Sequence, residues 1–598
     1  MFTTRPELSG TFGMASSTHW LASTVGMGVL ERGGNAFDAA TTMAFVLHIA
    51  EPHMCGPAGD VPILFATAGS DDVTVLCGQG PAPANATIEH YRSEGLDLVP
   101  ATGLLATAIP GATPAWLTLL RDHGTWSLAQ ILEPAIGYAS NGCPVHPDIT
   151  ASVRGMRRIF ERDWPTSAEL WLRGGAPPQA GGLYRNPALA ATWRRLILEV
   201  EAASGDRSAQ LDAALDIWCQ GFIGEALVTH SAIAAPDAIG GHYTGVLNGQ
   251  DMLGWRPGYE APVTYTYEGM EIAKCGPWSQ GPVLLQGLAL LRGIDLAGMD
   301  VAGAEFVHVI TEAMKLAYAD REVFYGDPLF VDVPLEVLLS DGYNNDRRTL
   351  LAPTASENFR PGIVKGYGHP IDYAAAVARA DPAWRRSRGA LSTAEPTAAA
   401  TRPASGDTVH LDVVDRWGNL VSATPSGGWL QASPTVAELG FPLGSRAQMF
   451  WLDPDHPSSL LPGKRPRTTL TPSLARRDGR PWMAFGSPGG DGQDQWQLAF
   501  LLRLAHGGLN LQEAIEAPAF HSDHWPSSFW PREARPLRLS VEDRFGPDVV
   551  AELQRRGHDV AISGPWSEGR LSAVTREADG MLRAGANPRG MQGYAVGR

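Results

Sequence analysis

A low-complexity stretch about two-thirds of the way along the chain limits what it can fold into. Residues 389–405, GALSTAEPTAAATRPAS, are rich in Ala, Thr, Pro and Ser and show no apolar period, which is the composition of a flexible linker. The pattern then becomes strand-like: Thr408-Val409-His410-Leu411-Asp412-Val413-Val414, a turn at Asp415-Arg416-Trp417-Gly418-Asn419, then Leu420-Val421-Ser422-Ala423-Thr424. β-Branched and apolar residues on both sides of a Gly-Asn turn predict a β-hairpin. The 598 residues thus divide into a portion 1–388, a linker 389–407 and a portion 408–598.

The hairpin carries chemistry. Its turn centres on Trp417, so Thr408, nine residues before, falls opposite Ser426, nine after. A threonine hydroxyl is a poor nucleophile at neutral pH unless a base lies beside it. Cleavage of the bond before Thr408 would supply one, its own α-amine, with a pKa of about 8. Ser426 would then orient the hydroxyl. Farther on, Gly486-Ser487-Pro488-Gly489-Gly490 is a glycine-rich turn whose backbone N–H groups suit an oxyanion. The residues alone leave a second reading open, with Thr408 an ordinary strand residue and 486–490 an ordinary tight turn.

Upstream, Leu21 to Arg32 has helical spacing and stops at Gly33-Gly34, and Asn35 opens a very apolar, buried helix that runs to about Ala50. A short strand is expected from Pro62 to Ala66, with helices over 113–122, 127–141, 187–203 and 302–321. The stretch 205–245 reads as helical but poorly patterned, with an insertion near 203–215.

Other chemistries lack support. Lys and Arg number 47 against 63 Asp and Glu, a net charge of −16 with no basic block, so nucleic acid is not an expected partner. There is no GxGxxG after a strand, no GxxxxGK[ST], no HExxH and no GxSxG. His521 and His524 stand three apart without a ligand pattern, and the five cysteines are scattered, so neither a metal site nor a disulfide framework is expected. No apolar stretch approaches the roughly 20 residues of a membrane span, and the N-terminus lacks a signal pattern; a cytoplasmic protein with no membrane partner is the expectation.

Motifs along nearly the whole length resemble the γ-glutamyltranspeptidase family of N-terminal-nucleophile hydrolases. They are Gly33-Gly34-Asn35-Ala36-Phe37-Asp38-Ala39-Ala40, Glu51-Pro52-His53, Ile109-Pro110-Gly111, and Glu312-Ala313-Met314-Lys315 through Ala319-Asp320-Arg321 to Gly326-Asp327-Pro328. The second portion adds Asp407-Thr408-Val409-His410, Val414-Asp415 with Gly418-Asn419, Lys464-Arg465-Pro466, Gly486 to Gly490, and Ala586-Asn587-Pro588-Arg589. The resemblance implies an α/β, αββα four-layer sandwich built jointly by two chains cut from one precursor between Asp407 and Thr408. It implies that Thr408 is the nucleophile with its α-amine as base, that Ser426 bonds the nucleophile, and that Gly489 and Gly490 form the oxyanion hole. Thr468 and Thr469 fall where the family binds a substrate carboxylate. No cofactor is implied. The partners are a small-molecule amide and the two chains for each other, and a homo-oligomer of the processed heterodimer is allowed.

The departures concern the substrate. The family arginine that holds a γ-glutamyl carboxylate is Gln79 here, in Gln79-Gly80-Pro81-Ala82-Pro83; the aspartate that holds its amine, counted from Gln448, is Trp451. An ionised group loses roughly 1.5–3 kcal/mol with each such contact. The expected function is therefore a self-processing amidohydrolase or acyltransferase whose acyl group is not γ-glutamyl but neutral, apolar or small, in a pocket shaped by Gln79, Trp429, Gln448, Phe450 and Trp451. One alternative is a true γ-glutamyltransferase in which Arg446 or Arg467 restores the charge; another is a non-catalytic binding protein on the same scaffold.

Overall fold

The structure is a computed structural model that describes residues 2–387 and 408–598; the linker 389–407, Asp407 included, lies outside the described residues. Two seven-stranded antiparallel sheets face each other. One has the order Leu8–Gly10, Leu582–Ala586, Ser572–Arg576, Arg480–Gly486, Ser473–Arg477, Met270–Lys274, Val263–Tyr267. The other runs Tyr594–Gly597, Gly13–Ser17, Leu411–Asp415, Leu420–Ala423, Val61–Ala66, Thr74–Gly78, Gly258–Glu260. In both sheets, strands from before residue 388 pair with strands from after 408, so neither portion completes a sheet alone.

Alternation along the strands explains the layers. Successive side chains point to opposite faces, and a strand buried on both sides feeds two cores. Val413 and Phe65 face the helices Trp20–Glu31 and Ala36–Ala50, whereas Val414, Leu64 and Ala66 face the opposing sheet. In the first sheet Phe485 and Ile272 face the helices Pro282–Leu291 and Gln493–His506, and Ala484 and Ala273 face inward. Helix, sheet, sheet and helix thus stack as the αββα sandwich that the resemblance implies. Among the described residues no helix is long and apolar enough to cross a membrane.

The hairpin is fixed by its turn. Asp415 Oδ1 accepts from the backbone N–H groups of Trp417, Gly418 and Asn419, each at 3.0 Å. Its other oxygen accepts from Ala36 N at 2.9 Å, tying the turn to the first turn of the Ala36–Ala50 helix. That helix is wholly buried and starts with a capping box in which Asn35 and Asp38 bond each other's backbone N–H.

Elsewhere the expected helices appear as Ala112–His123, Leu128–Asn141, Pro187–Ala203 and Ala304–Phe324. The 203–215 stretch leads into the helix Arg207–Gln220, whose Leu211, Ala214, Leu215 and Trp218 are buried in the main helical core. Beyond Phe222–Ser231 the chain turns to a small hairpin, Ala235–Pro236 with His242–Tyr243, where the sequence pattern predicts helix.

Candidate active site

The pairing Leu411↔Ala423 through Val414↔Leu420 is centred on Trp417 and continues to a bridge between Thr408 and Ser426. Val409 N donates to Pro425 O at 3.0 Å, and Thr408 Oγ1 donates to Ser426 Oγ at 3.2 Å. Both residues are buried. Ser426 is held from its other side by Asp60, through N–H···O bonds of 2.9 Å in each direction.

The glycine turn ends the Arg480–Gly486 strand, which packs across the sandwich from Leu411–Asp415. The two meet at His410, whose ring underlies Gly486 so closely that an added Cβ there would come within 2.2 Å of it. His410 Nε2 lies 2.9 Å from Asp412 Oδ1 and its Nδ1 lies 2.9 Å from Thr424 Oγ1; Ser572 donates to the other Asp412 oxygen at 2.7 Å. A carboxylate only accepts, so the Nε2 atom carries the proton. This buried network spans both sheets beside Thr408.

Gly489 and Gly490 adopt φ of 115° and 51°, the left-handed region that favours glycine, and the helix Gln493–His506 begins just beyond them. Their N–H groups thus stand at the positive end of a helix. Gln280 Nε2 donates to Gly490 O at 3.1 Å, and Gln280 N donates to Thr468 O at 2.9 Å. Asp491, the next residue, accepts from Ser528 N and Oγ at 2.8 and 2.7 Å and pairs with Arg321, which also donates to Gln280 Oε1 at 2.8 Å. Burial works against the Asp491 charge, but Arg321 and Ser528 hold its carboxyl below the usual range.

The residues expected to shape the acyl pocket fall in different settings. Thr468 Oγ1 accepts from Leu470 N at 3.3 Å, while Thr469 Oγ1 and Gln79 Oε1 are buried with no hydrogen-bond partner among the described residues. Gln448 Nε2 donates to Ala101 O at 3.1 Å. Trp429 Nε1 donates to Met54 O at 2.8 Å, and its ring packs with Met449 and Phe529. Phe450 is wholly buried in a cluster with Ala82, Tyr91, Leu105 and Leu460. Trp451 is half-buried. Arg446 is engaged by Asp60 at 2.9 Å and Arg467 by Glu322 at 2.9 Å. Burial lifts the Asp60 carboxyl to about 6, with Arg446 opposing the rise.

Asp60, Gln280, Asp491 and Ser528 do not stand out as site residues in the sequence, whereas His410, two residues from Thr408, carries a signal there.

The Glu51-Pro52-His53 segment docks behind this region: Leu430 N donates to Pro52 O at 2.8 Å and Gln431 Nε2 to His53 O at 3.0 Å. Glu51 is wholly buried, accepts from Thr18 Oγ1 at 2.6 Å, and burial pushes its carboxyl up to about 7 from 4.5. The folded state therefore favours the protonated acid, a stabilisation complete below pH 4.5 and lost as pH rises through 7. Denaturant titrations of wild type and Glu51→Gln at pH 5 and 8 are expected to differ in pH dependence by roughly 3 kcal/mol, the variant losing less on the alkaline side. Equal dependence in both proteins would contradict the buried acid.

Comparison with known proteins adds four likenesses. The family profile described as Gamma-glutamyltranspeptidase matches residues 22–597. The glutathione hydrolase-like YwrD proenzyme of Bacillus subtilis is 31% identical, over 98% of this chain and 99% of its own. The oxamate amidohydrolase proenzyme of Klebsiella pneumoniae is 31% identical, over 98% of each chain. The solved structure of LmbA2991HD is 54% identical, covers 100% of both chains and superposes with a TM-score of 0.93.

Proposed function

The chain belongs to the gamma-glutamyltranspeptidase family, and on that premise we propose that it cuts itself before Thr408 and then hydrolyses an amide whose acyl group is not γ-glutamyl. The products would be chains of 407 and 191 residues. Thr408 Oγ1 attacks the Asp407 carbonyl carbon, the peptide becomes an ester, and water releases the Asp407 carboxylate and a free Thr408 α-amine. In catalysis that amine takes the Thr408 hydroxyl proton as Oγ1 attacks the substrate carbonyl. Gly489 and Gly490 N–H groups stabilise the oxyanion, the Thr408 ammonium passes its proton to the substrate nitrogen, which leaves as the amine when the amide C–N bond breaks, and water hydrolyses the acyl ester.

The observation that carries the reading is the buried 3.2 Å contact between Thr408 Oγ1 and Ser426 Oγ at the start of a central strand. A γ-glutamyl donor needs a cation and an anion where this chain has Gln79 and Trp451, and Arg446 and Arg467 already serve Asp60 and Glu322. Both facts argue against the γ-glutamyl alternative. Rapid quenching during turnover of an acyl p-nitroanilide tests the mechanism. The acyl mass is expected on the peptide beginning at Thr408; turnover with the label on another residue would overturn it.

A further inference from the structure

The glycine turn assigned to the oxyanion depends on its neighbours for its shape. Gly489 and Gly490 have no side chains to lock their backbone, and both stand in the left-handed region, at φ of 115° and 51°. What fixes the turn is a set of contacts to the residues that end it. Gly490 O accepts from Gln493 N inside the turn and from Gln280 Nε2 at 3.1 Å. Asp491 O accepts from Tyr318 Oη and from Gln495 Nε2, while the Asp491 carboxylate accepts from Ser528 and pairs with Arg321. Gln280 and Arg321 are wholly buried.

Gln280 reaches two parts of the site at once. Its own main chain is held on both sides: Ser279 bridges to Thr468, and Gln280 O accepts from Val283 N at 2.9 Å as the helix Pro282–Leu291 begins. Gln280 N donates to Thr468 O at 2.9 Å, so its backbone carries the Thr468-Thr469 segment while its side chain carries the glycine turn. Arg321 decides which way the amide faces. A guanidinium only donates, so the Gln280 oxygen must face Arg321 Nη1, 2.8 Å away, and the NH2 group is left for Gly490 O. Arg321 is itself oriented by Glu322, whose Oε1 accepts from its Nε at 2.9 Å, and by the ion pair with Asp491. Glu322, Arg321, Gln280 and Gly490 thus form a chain of bonds whose donors and acceptors cannot be exchanged. It also joins the two portions, since Gln280 and Arg321 precede residue 388 and Gly490 follows residue 408.

We propose that Gln280, oriented by Arg321, is the positioning residue that aims the Gly489 and Gly490 N–H groups at the oxyanion and fixes the turn relative to the Thr468-Thr469 segment. The proposal rests on the amidohydrolase reading and adds to it a residue that acts only through the turn. Oxyanion donors are effective because they stand in place before the charge develops, and a misplacement of about 1 Å costs about a hundredfold in rate. Without the Gln280 bond, two glycines in sequence regain freedom that no other side chain at those positions restrains. The loss falls on the transition state, whose oxygen bears the charge, and much less on the bound amide.

The test uses Gln280→Met, which keeps the length of the side chain and loses both polar contacts, and Gln280→Glu, which keeps the acceptor for Arg321 and loses the donor to Gly490 O. Gln280→Glu also covers the case in which Gln280→Met fails to fold. Turnover of an acyl p-nitroanilide is measured per processed chain, alongside calorimetric binding of phenylboronic acid and of the carboxylic acid corresponding to that acyl group. Boron becomes tetrahedral on the Thr408 hydroxyl and places an oxygen where the oxyanion forms, whereas the carboxylic acid stays planar. In both variants kcat is expected to fall about tenfold or more, with KM and the affinity for the carboxylic acid within about twofold of wild type. Phenylboronic acid should weaken by a factor similar to the loss in kcat. A merely structural residue would lower both affinities together. Unchanged kcat or unchanged phenylboronic acid binding in either variant, or an equal loss of the carboxylic acid, would overturn the proposal. Weaker phenylboronic acid binding in both variants, with no anilide turned over by wild type, would instead overturn the amidohydrolase reading and leave the role of Gln280 standing.

Discussion

Thr408→Ala is expected to leave one uncut chain of 63.9 kDa and to lower amide hydrolysis by about a thousandfold or more. The substitution removes the only atom that the proposed mechanism uses to attack a carbonyl, in processing and in turnover alike. It removes little else, because a methyl group at a buried strand position bordered by Ser426 and Val409 fits the same space. Far-ultraviolet circular dichroism should match wild type. Thr408→Ser separates the hydroxyl from its methyl group: it keeps a nucleophile and, after cleavage, the amine beside it, and should still process and turn over at a reduced rate. A Thr408→Ala protein that cuts itself, or keeps its amidase activity, would remove Thr408 from both roles.

Gly489→Ala is the second large effect. A Cβ at Gly489 would come within 2.2 Å of Trp496 Cζ3 and 2.7 Å of its Cη2, on a backbone at φ 115°. Trp496 cannot move aside easily. It is 2% exposed, and Gly492 and Gly569 press nearly as close, their own Cβ positions falling 2.6 and 2.9 Å from its ring. The turn must therefore shift, and with it the two N–H groups assigned to the oxyanion. Loss of one such donor costs about 10²–10³ in kcat. A drop of that order is expected with KM little changed, together with a lower melting temperature from the clash. Trp496→Leu in the Gly489→Ala background relieves the clash and should recover stability first. Full activity in Gly489→Ala would exclude the turn from the oxyanion role.

What could be read from sequence was local. The hairpin was legible because strand alternation and an Asp-x-x-Gly-Asn turn agree, and symmetry about Trp417 then set Thr408 opposite Ser426 without any tertiary knowledge. The buried helix over Ala36–Ala50 was legible because it has no polar face. The short hairpin Ala235–Tyr243 was not, since two-residue strands show no period. Partners far apart in sequence were beyond reach. Asp60 and Arg446 are 386 residues apart, and nothing in either segment announces the other. The function of Arg446 and Arg467 could not be judged until their carboxylates appeared. Arg532 is the plainest case: nothing in Trp530-Pro531-Arg532-Glu533 announces a buried guanidinium that forms no ion pair among the described residues. Trp451 and Phe450 adjoin in sequence, yet Phe450 fills a core while Trp451 stands beside that cation.

The central claim is that a peptide bond breaks before Thr408, and intact mass with N-terminal sequencing of the purified protein, before and after incubation, tests it most directly. The account predicts two species of about two-thirds and one-third of 63.9 kDa, the smaller one beginning Thr408-Val409-His410. A single chain that persists through prolonged incubation, or a cut at any other bond, would contradict it.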